Sequence, residues 1–308
     1  MKLNKNKTAF GRHETFPLRY GWLTKGFEAI EKEKELFHNP EQAMIRLGIG
    51  RNMVNALHYW LQVTGILTFT EEGGEASELG RALLGEHGDH YLEDEATLWI
   101  VHWLIAANAE MATGFFWFFN HYALPRFRDK DALAALEEFV SQHLGIKRSH
   151  STLKSDLSTL LRMYAPVAHR GGDDHLDSPL ASLQLVTAED GYGYSSLRSL
   201  HPFLPPVAMH FALQQRFRAE KSGTSNEQAA IPIRDLLYGG NGWAAPGAVF
   251  RLSEEGFMAS LQQVMEAYPQ HYRLSDTAGL NQLYCLKTPQ TPQQILNHYY
   301  QGHSAWAA

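Results

Sequence analysis

The stretch Asn39-Pro40-Glu41-Gln42-Ala43-Met44-Ile45-Arg46-Leu47-Gly48-Ile49-Gly50-Arg51-Asn52-Met53-Val54-Asn55-Ala56-Leu57-His58-Tyr59-Trp60-Leu61-Gln62-Val63-Thr64 reads as helix, corner, helix. Asn39 is placed to cap a helix with Pro40 at its first position and Glu41 and Gln42 in its opening turn. Met44, Ile45 and Leu47 supply an apolar side. Gly48-Ile49-Gly50 is too short for anything but a tight turn, and Ile49 is placed to plug the angle between two helices. From Arg51 to about Thr64, Val54, Leu57 and Leu61 recur at helical spacing on one face. Arg51, Asn55, His58 and Gln62 recur on another. Gly65 ends this helix.

Downstream, Ile66 to Thr70 predicts a strand and Glu72-Gly73-Gly74-Glu75 a hairpin tip. Ser77-Glu78-Leu79-Gly80-Arg81-Ala82-Leu83-Leu84 predicts the return into a helix, and resembles the leucine- and glycine-containing ending common in winged-helix DNA-binding proteins. Asn39 to Leu84 therefore predicts a winged helix-turn-helix. Arg51, Asn52, Asn55 and His58 are side chains of the kind that reach base edges, Arg toward guanine and Asn toward adenine. The wing, however, carries Glu71, Glu72, Glu75 and Glu78, which repel phosphate at close range. DNA contact and pure protein docking both stay open at this point.

Upstream, Phe10 to Ile30 predicts an opening helix that starts at Thr15 and Pro17, with Leu18, Trp22, Leu23, Phe27 and Ile30 as its apolar stripe. His13, Arg19 and Lys25 are candidates for gripping a phosphate or a partner's carboxylate; Arg19 and Lys25 lie six residues apart, so both cannot lie in the stripe. The competing reading makes His13 and Glu14 a helix cap.

Length and composition bound the rest. A chain of 308 residues holds two or three domains with real cores. A net charge of -6 and a pI near 6.2 argue against a tight non-specific coat on DNA, though local positive potential remains possible. The single cysteine, Cys285, allows neither a disulfide framework nor a cysteine-based zinc site and suits a reducing cytosol. The basic start lacks the apolar run of a secretory signal. Leu98 to Phe119 is interrupted by His102, Asn108, Glu110 and Gly114, so it predicts buried helices rather than a membrane span. A cytoplasmic protein follows.

Between Tyr91 and Leu124 the aromatic residues Trp99, Trp103 and Phe115 to Phe119 predict a central helical region packed on several sides; a base-stacking platform is the less favoured reading. Asp131 to Leu144, a turn at Gly145-Ile146-Lys147-Arg148, and Ser149 to Tyr164 predict a second helix-turn-helix. Lys147, Arg148, Ser149 and Lys154 cluster at the start of its second helix, where exposed N–H groups and cations favour phosphate; a solvated helix start capped by Ser149 or Ser151 is the equal alternative. Pro232 to Tyr238, Ser253 to Tyr268 and a hairpin of Tyr272–Ser275 with Leu283–Leu286 repeat the helix, helix, hairpin plan. The fold class expected is mainly α with small β-hairpins, tandem winged helix-turn-helix units flanking a helical middle. The domains expected are 1–88, 89–180 and 181–308.

Phosphate-binding glycine loops, a nucleophile elbow and cysteine pairs are absent from the sequence. His87-Gly88-Asp89-His90 with Glu93, Asp94 and Glu95, and His169 with Asp173, Asp174 and His175, match no standard ligand spacing and read as polar loops. No catalytic residue, metal or cofactor is expected, an unrecognised nuclease being the competing reading.

Phe10 to Gly26, Leu47-Gly48-Ile49-Gly50-Arg51-Asn52-Met53-Val54, Leu176-Asp177-Ser178-Pro179-Leu180 and Asp276-Thr277-Ala278-Gly279-Leu280 resemble blocks of a bacterial family called domain of unknown function 4007. Members of that family occur beside genes of DNA sulfur modification (phosphorothioation) and phage defence, next to proteins resembling phosphoadenosine-phosphosulfate reductases. The resemblance implies a part in such a system, as a non-enzymatic DNA-binding or specificity component or as an adaptor docked on the sulfur-transfer enzyme. It supplies no catalytic residue to carry over.

Overall fold

Asn39 caps its helix as its type and position require: Oδ1 accepts from the backbone N–H of Glu41 at 3.1 Å and of Gln42 at 3.2 Å. Helix α2 (Pro40–Leu47) stops at Gly48, whose φ of 65° suits glycine and whose N–H donates to the Met44 carbonyl at 2.9 Å. Ile49 is half-buried at the corner, and α3 (Arg51–Val63) starts behind it. Helix α1 (Trp22–Lys32) packs on α3, with Gly26 so close to Leu61 that a side chain there would collide. The computed structural model describes residues 1–165, 178–221, 229–240, 242–277 and 280–304.

The opening helix begins later than expected, at Trp22 rather than at Thr15 or Pro17. Glu14 and Thr15 take φ values of 48° and 65°, which no α-helix accommodates. Tertiary contacts override local propensity here, as the next subsection details.

Strands β1 (Leu67–Thr70) and β2 (Gly73–Ala76) form an antiparallel hairpin, Thr70 facing Gly73, and Ser77 then caps α4 (Glu78–Leu84) by accepting from the Gly80 N–H at 2.9 Å. The tip is Glu71-Glu72, so Gly73 and Gly74 belong to the return strand and not to the turn. Close approach is the reason. A Cβ on Gly73 would lie 2.6 Å from the Lys34 carbonyl oxygen, and one on Gly74 would lie 2.8 Å from the Phe69 ring.

The aromatic middle is interior. In α5 (Glu95–Ala106) and α6 (Thr113–Asn120), Trp99, Trp103 and Phe115 through Phe119 are all buried, as a central helical packing predicts. Helix α7 (Asp129–Glu138) widens into a single π-helical turn over Phe139–His143, and α8 (His150–Tyr164) follows after the glycine turn at Gly145. Strands β3 (Arg126–Phe127), β4 (Thr187–Glu189) and β5 (Gly193–Ser195) make a small sheet in the order β3-β5-β4.

The C-terminal part contains α9 (Pro206–Lys221), β6 (Ala230–Pro232), α10 (Ile233–Tyr238), α11 (Pro246–Val249), α12 (Glu254–Ala267), β7 (Tyr272–Thr277), β8 (Leu280–Cys285) and α13 (Pro292–Ser304). The expected hairpin is present and gains β6 as a third strand, in the order β6-β8-β7. The molecule is thus mainly α with small antiparallel sheets. Its buried core runs without a break across the boundaries expected at residues 88 and 180: α13 packs on α4 and α9, and α5 packs on α9. His102 shows the continuity in one side chain. The Tyr164 hydroxyl donates to its Nδ1 at 2.7 Å, and its Nε2 donates to the Val249 carbonyl at 2.8 Å. Among the described residues, no helix is long and apolar enough to cross a membrane.

Candidate functional site

Arg51, Asn52 and Asn55 stand exposed on the first turns of α3. Gly50 precedes the helix and offers no side chain to cap it, so the first N–H groups of α3 face outward beside these three residues. Such a helix start favours an anion, and Arg51 adds a full positive charge. The fourth residue expected on this face, His58, does not share the exposure. Its ring stacks on Phe37 (4.8 Å between centroids, 14° between planes) and meets Phe69 edge-on at 4.2 Å. Burial, with a smaller contribution from nearby His38, holds its pKa down to about 4, so the ring is neutral near pH 7. His58 is therefore corrected from a base-reading residue to the link between α3 and the hairpin. The aromatic pair that covers it comes from elements distant in sequence.

Glu71 and Glu72 at the hairpin tip, Glu75 on β2 and Glu78 at the start of α4 are all exposed, with Glu75 bound to Lys34 Nζ at 3.0 Å. The acidic character read from the sequence is a surface property of the fold.

A second exposed set lies at the start of α8. Lys147, Arg148, Ser149 and Lys154 all reach solvent. Ser149 Oγ accepts from the Thr152 N–H at 3.1 Å and so caps the helix, and His150 Nδ1 lies 2.6 Å from Glu137 Oε1, tying this start to α7. The two exposed sets lie at the starts of different helices, α3 and α8. They are connected through the segment at residues 8–18.

That segment is where the group His13, Arg19 and Lys25 resolves differently from expectation. His13 is fully buried, with Nε2 donating to Asp156 Oδ1 at 2.8 Å and Nδ1 accepting from the Thr15 N–H at 3.2 Å. Asp156, itself buried on α8, also accepts from the Gly11 N–H at 2.6 Å. The His13 ring stacks over Trp60 of α3, 6.2 Å between centroids, and its segment is pinned further by Trp60 Nε1 donating to the Phe16 carbonyl at 3.1 Å. His13 is a structural bridge and cannot grip a ligand. Lys25 donates to the Leu47 carbonyl at 3.2 Å, where its charge complements the C-terminal end of α2, and Arg19 is half-buried against Phe16 and Trp22. The structure does not assemble these three into a phosphate grip.

The polar loop at His87 to Glu95 is folded onto itself: Asp89 accepts from the N–H groups of Glu93 and Asp94, each at 2.9 Å, and His90 binds the Leu84 carbonyl and Glu28. Among the described residues, no three His, Cys, Asp or Glu side chains converge in a way that could hold a metal ion. His169, Asp173, Asp174 and His175 lie outside the described residues.

One feature escaped the sequence reading. His121, Tyr122, Glu138, Phe139, Gln142 and His143 line an open cavity of about 450 Å³ between the end of α6 and the π-helical turn after α7. Burial raises the pKa of Tyr122 to about 12. The end of α6 is fixed from inside by Arg251, which donates to the carbonyls of Phe118 at 2.9 Å and Phe119 at 3.3 Å and to Ser196 Oγ at 2.9 Å. A π-helical turn has no sequence signature comparable to a cap, so nothing short of the fold marks this place.

A helical protein with an exposed helix start beside a corner, a docked acidic hairpin and a second basic helix start is the class that these observations define. The sequence matches the family described as "Protein of unknown function (DUF4007)" over residues 10–300, and the chain belongs to that family. Among solved structures it is similar to a magnesium ion-bound SspB, at 24% identity and a TM-score of 0.83, over 96% of this chain and 90% of that one. A second SspB structure matches over the same shares at 24% identity, with a TM-score of 0.82. The shared fold thus extends over nearly the whole chain. No curated protein matches the sequence.

Proposed function

We propose that this protein is a non-enzymatic DNA-contacting, specificity-giving component of a bacterial DNA phosphorothioation or phage-defence system, acting in the cytoplasm. In this reading α2 and α3 serve as a helix-turn-helix and β1–β2 as its wing. Arg51, Asn52 and Asn55 meet base edges, and Lys147, Arg148, Ser149 and Lys154 meet phosphates. The observation that carries the proposal is the exposure of Arg51, Asn52 and Asn55 at a helix start that lacks a side-chain cap. Family membership supports the biological setting, through the gene neighbourhoods that the resemblance implies.

The acidic tip at Glu71 and Glu72 favours a second reading, in which the protein docks on a sulfur-transfer enzyme resembling phosphoadenosine-phosphosulfate reductases and never touches DNA. Fluorescence anisotropy on labelled duplex separates the two. Binding that weakens on Arg51→Ala and on Lys154→Ala supports DNA contact, whereas no measurable binding at low salt leaves the adaptor. One of the similar structures is of a magnesium ion-bound protein, so plasmid should also be incubated with Mg²⁺ and with Mn²⁺. Metal-dependent nicking or cleavage that co-purifies with the protein would replace the non-enzymatic reading.

A further inference from the structure

The cavity beside the π-helical turn has three properties that belong together. Its walls are aromatic and imidazole rings: Phe139 stacks on His143 at 5.1 Å with 17° between planes, and His121 lies 5.2 Å from Phe139. Its rim carries hydrogen-bonding groups of both kinds, the Glu138 carboxylate as acceptor and the Gln142 amide as donor and acceptor. Its floor is closed by Tyr122, 5% exposed, and by the Trp117 ring, so the space opens only toward the polar rim. Flat aromatic walls with a polar rim suit a planar heteroaromatic ring.

Position narrows the choice of ring. Lys147 follows His143 by four residues, at most about 14 Å along the chain, and Arg148 and the capped start of α8 come next. The His150–Glu137 contact holds that helix start against the helix bearing Glu138. Cations and helix N–H groups for phosphate therefore adjoin a slot for a ring. We infer that this cavity receives a single unstacked DNA base while Lys147 and Arg148 hold the backbone beside it. This site rests on the DNA-contact reading above and adds to it: the protein would read a base displaced from its stack, not only an intact groove.

Two short labelled strands test it, one of deoxyadenylate and one of equal length built from abasic residues. The wild-type protein should bind the base-containing strand at least about fivefold more tightly, since one stacked base contributes about that or more. A Phe139→Leu/His143→Ala variant, its fold checked by its melting curve, should lose that preference while binding the abasic strand like the wild type. Lys154→Ala should weaken both strands alike. Equal wild-type affinity for the two strands would overturn the base site and leave backbone contact standing, and so would a preference that survives in the cavity variant. If neither strand binds, DNA contact itself fails and the base site falls with it.

Discussion

His13 Nε2 sits 2.8 Å from Asp156 Oδ1, both side chains buried, joining residues that lie 143 positions apart. Through this bond and the stacking on Trp60, the N-terminal segment ties α3 to α8, the two helices that carry the exposed basic residues. The geometry of the proposed interface therefore depends on a contact remote from it.

Removing one partner of a buried hydrogen-bonded pair strands the other, at a cost of about 1–3 kcal/mol. Asp156→Ala should lower unfolding free energy by about that amount in urea titration. Asp156→Asn keeps an oxygen that can accept from Gly11 and His13, so it should cost less than half as much. Equal losses from the two substitutions would show that the acceptor oxygen is not what matters.

Burial lowers the pKa of His102 to about 3 and that of His210 to about 4, both from an ordinary 6.5, and both side chains are inaccessible. Below pH 6.5 the unfolded chain binds protons that the folded chain refuses, so acid favours unfolding. Stability should fall as pH drops from 6.5 toward 4, by up to about 1.4 kcal/mol per unit for each histidine. Urea midpoints measured at steps across this window check the slope, and a flat profile would show that the rings stay solvated.

Ser149 serves two roles that one substitution can separate. Ser149→Ala should cost about 1 kcal/mol through loss of the cap on the Thr152 N–H. Ser149→Asp keeps a capping oxygen and adds negative charge at the proposed phosphate contact. Melting temperature should hold for Ser149→Asp while DNA affinity drops; unchanged affinity would place phosphate elsewhere.

At Gly73 a methyl group would press on the Lys34 carbonyl, and φ of 124° excludes ordinary side chains. Gly73→Ala should destabilise by about 1–3 kcal/mol and expose the amides of the hairpin. Hydrogen exchange at β1 and β2 measures this directly, and unchanged protection would mean that the hairpin is not docked by this contact.

The corner and its helices were legible because their signals are local: Asn39 caps, Pro40 starts, Gly48 stops and Ser77 caps again. The hairpin tip was misplaced by two residues because Gly73 and Gly74 look like turn residues; packing against Lys34 and Phe69 is what requires them to be bare. His58 lay correctly on the polar face of α3 by periodicity, yet Phe37 and Phe69 fold over it. For His13 a ligand grip and a helix cap both stood open, and nothing nearby in sequence announces Asp156. These misses trace to tertiary packing, by Lys34 on Gly73, by Phe37 and Phe69 on His58 and by Asp156 on His13, which local sequence patterns do not encode.

The exposed start of α3 as a DNA-contacting face is tested most directly by the salt dependence of duplex binding. Each phosphate contact removed should flatten the slope of log affinity against log salt by about 0.9. Wild-type protein should bind duplex with a steep negative slope, and Lys154→Ala should flatten it by about one contact. Arg51→Ala and Asn55→Ala should weaken binding most on the preferred sequence. Binding that is absent at low salt, or unaffected by all three substitutions, would contradict the account.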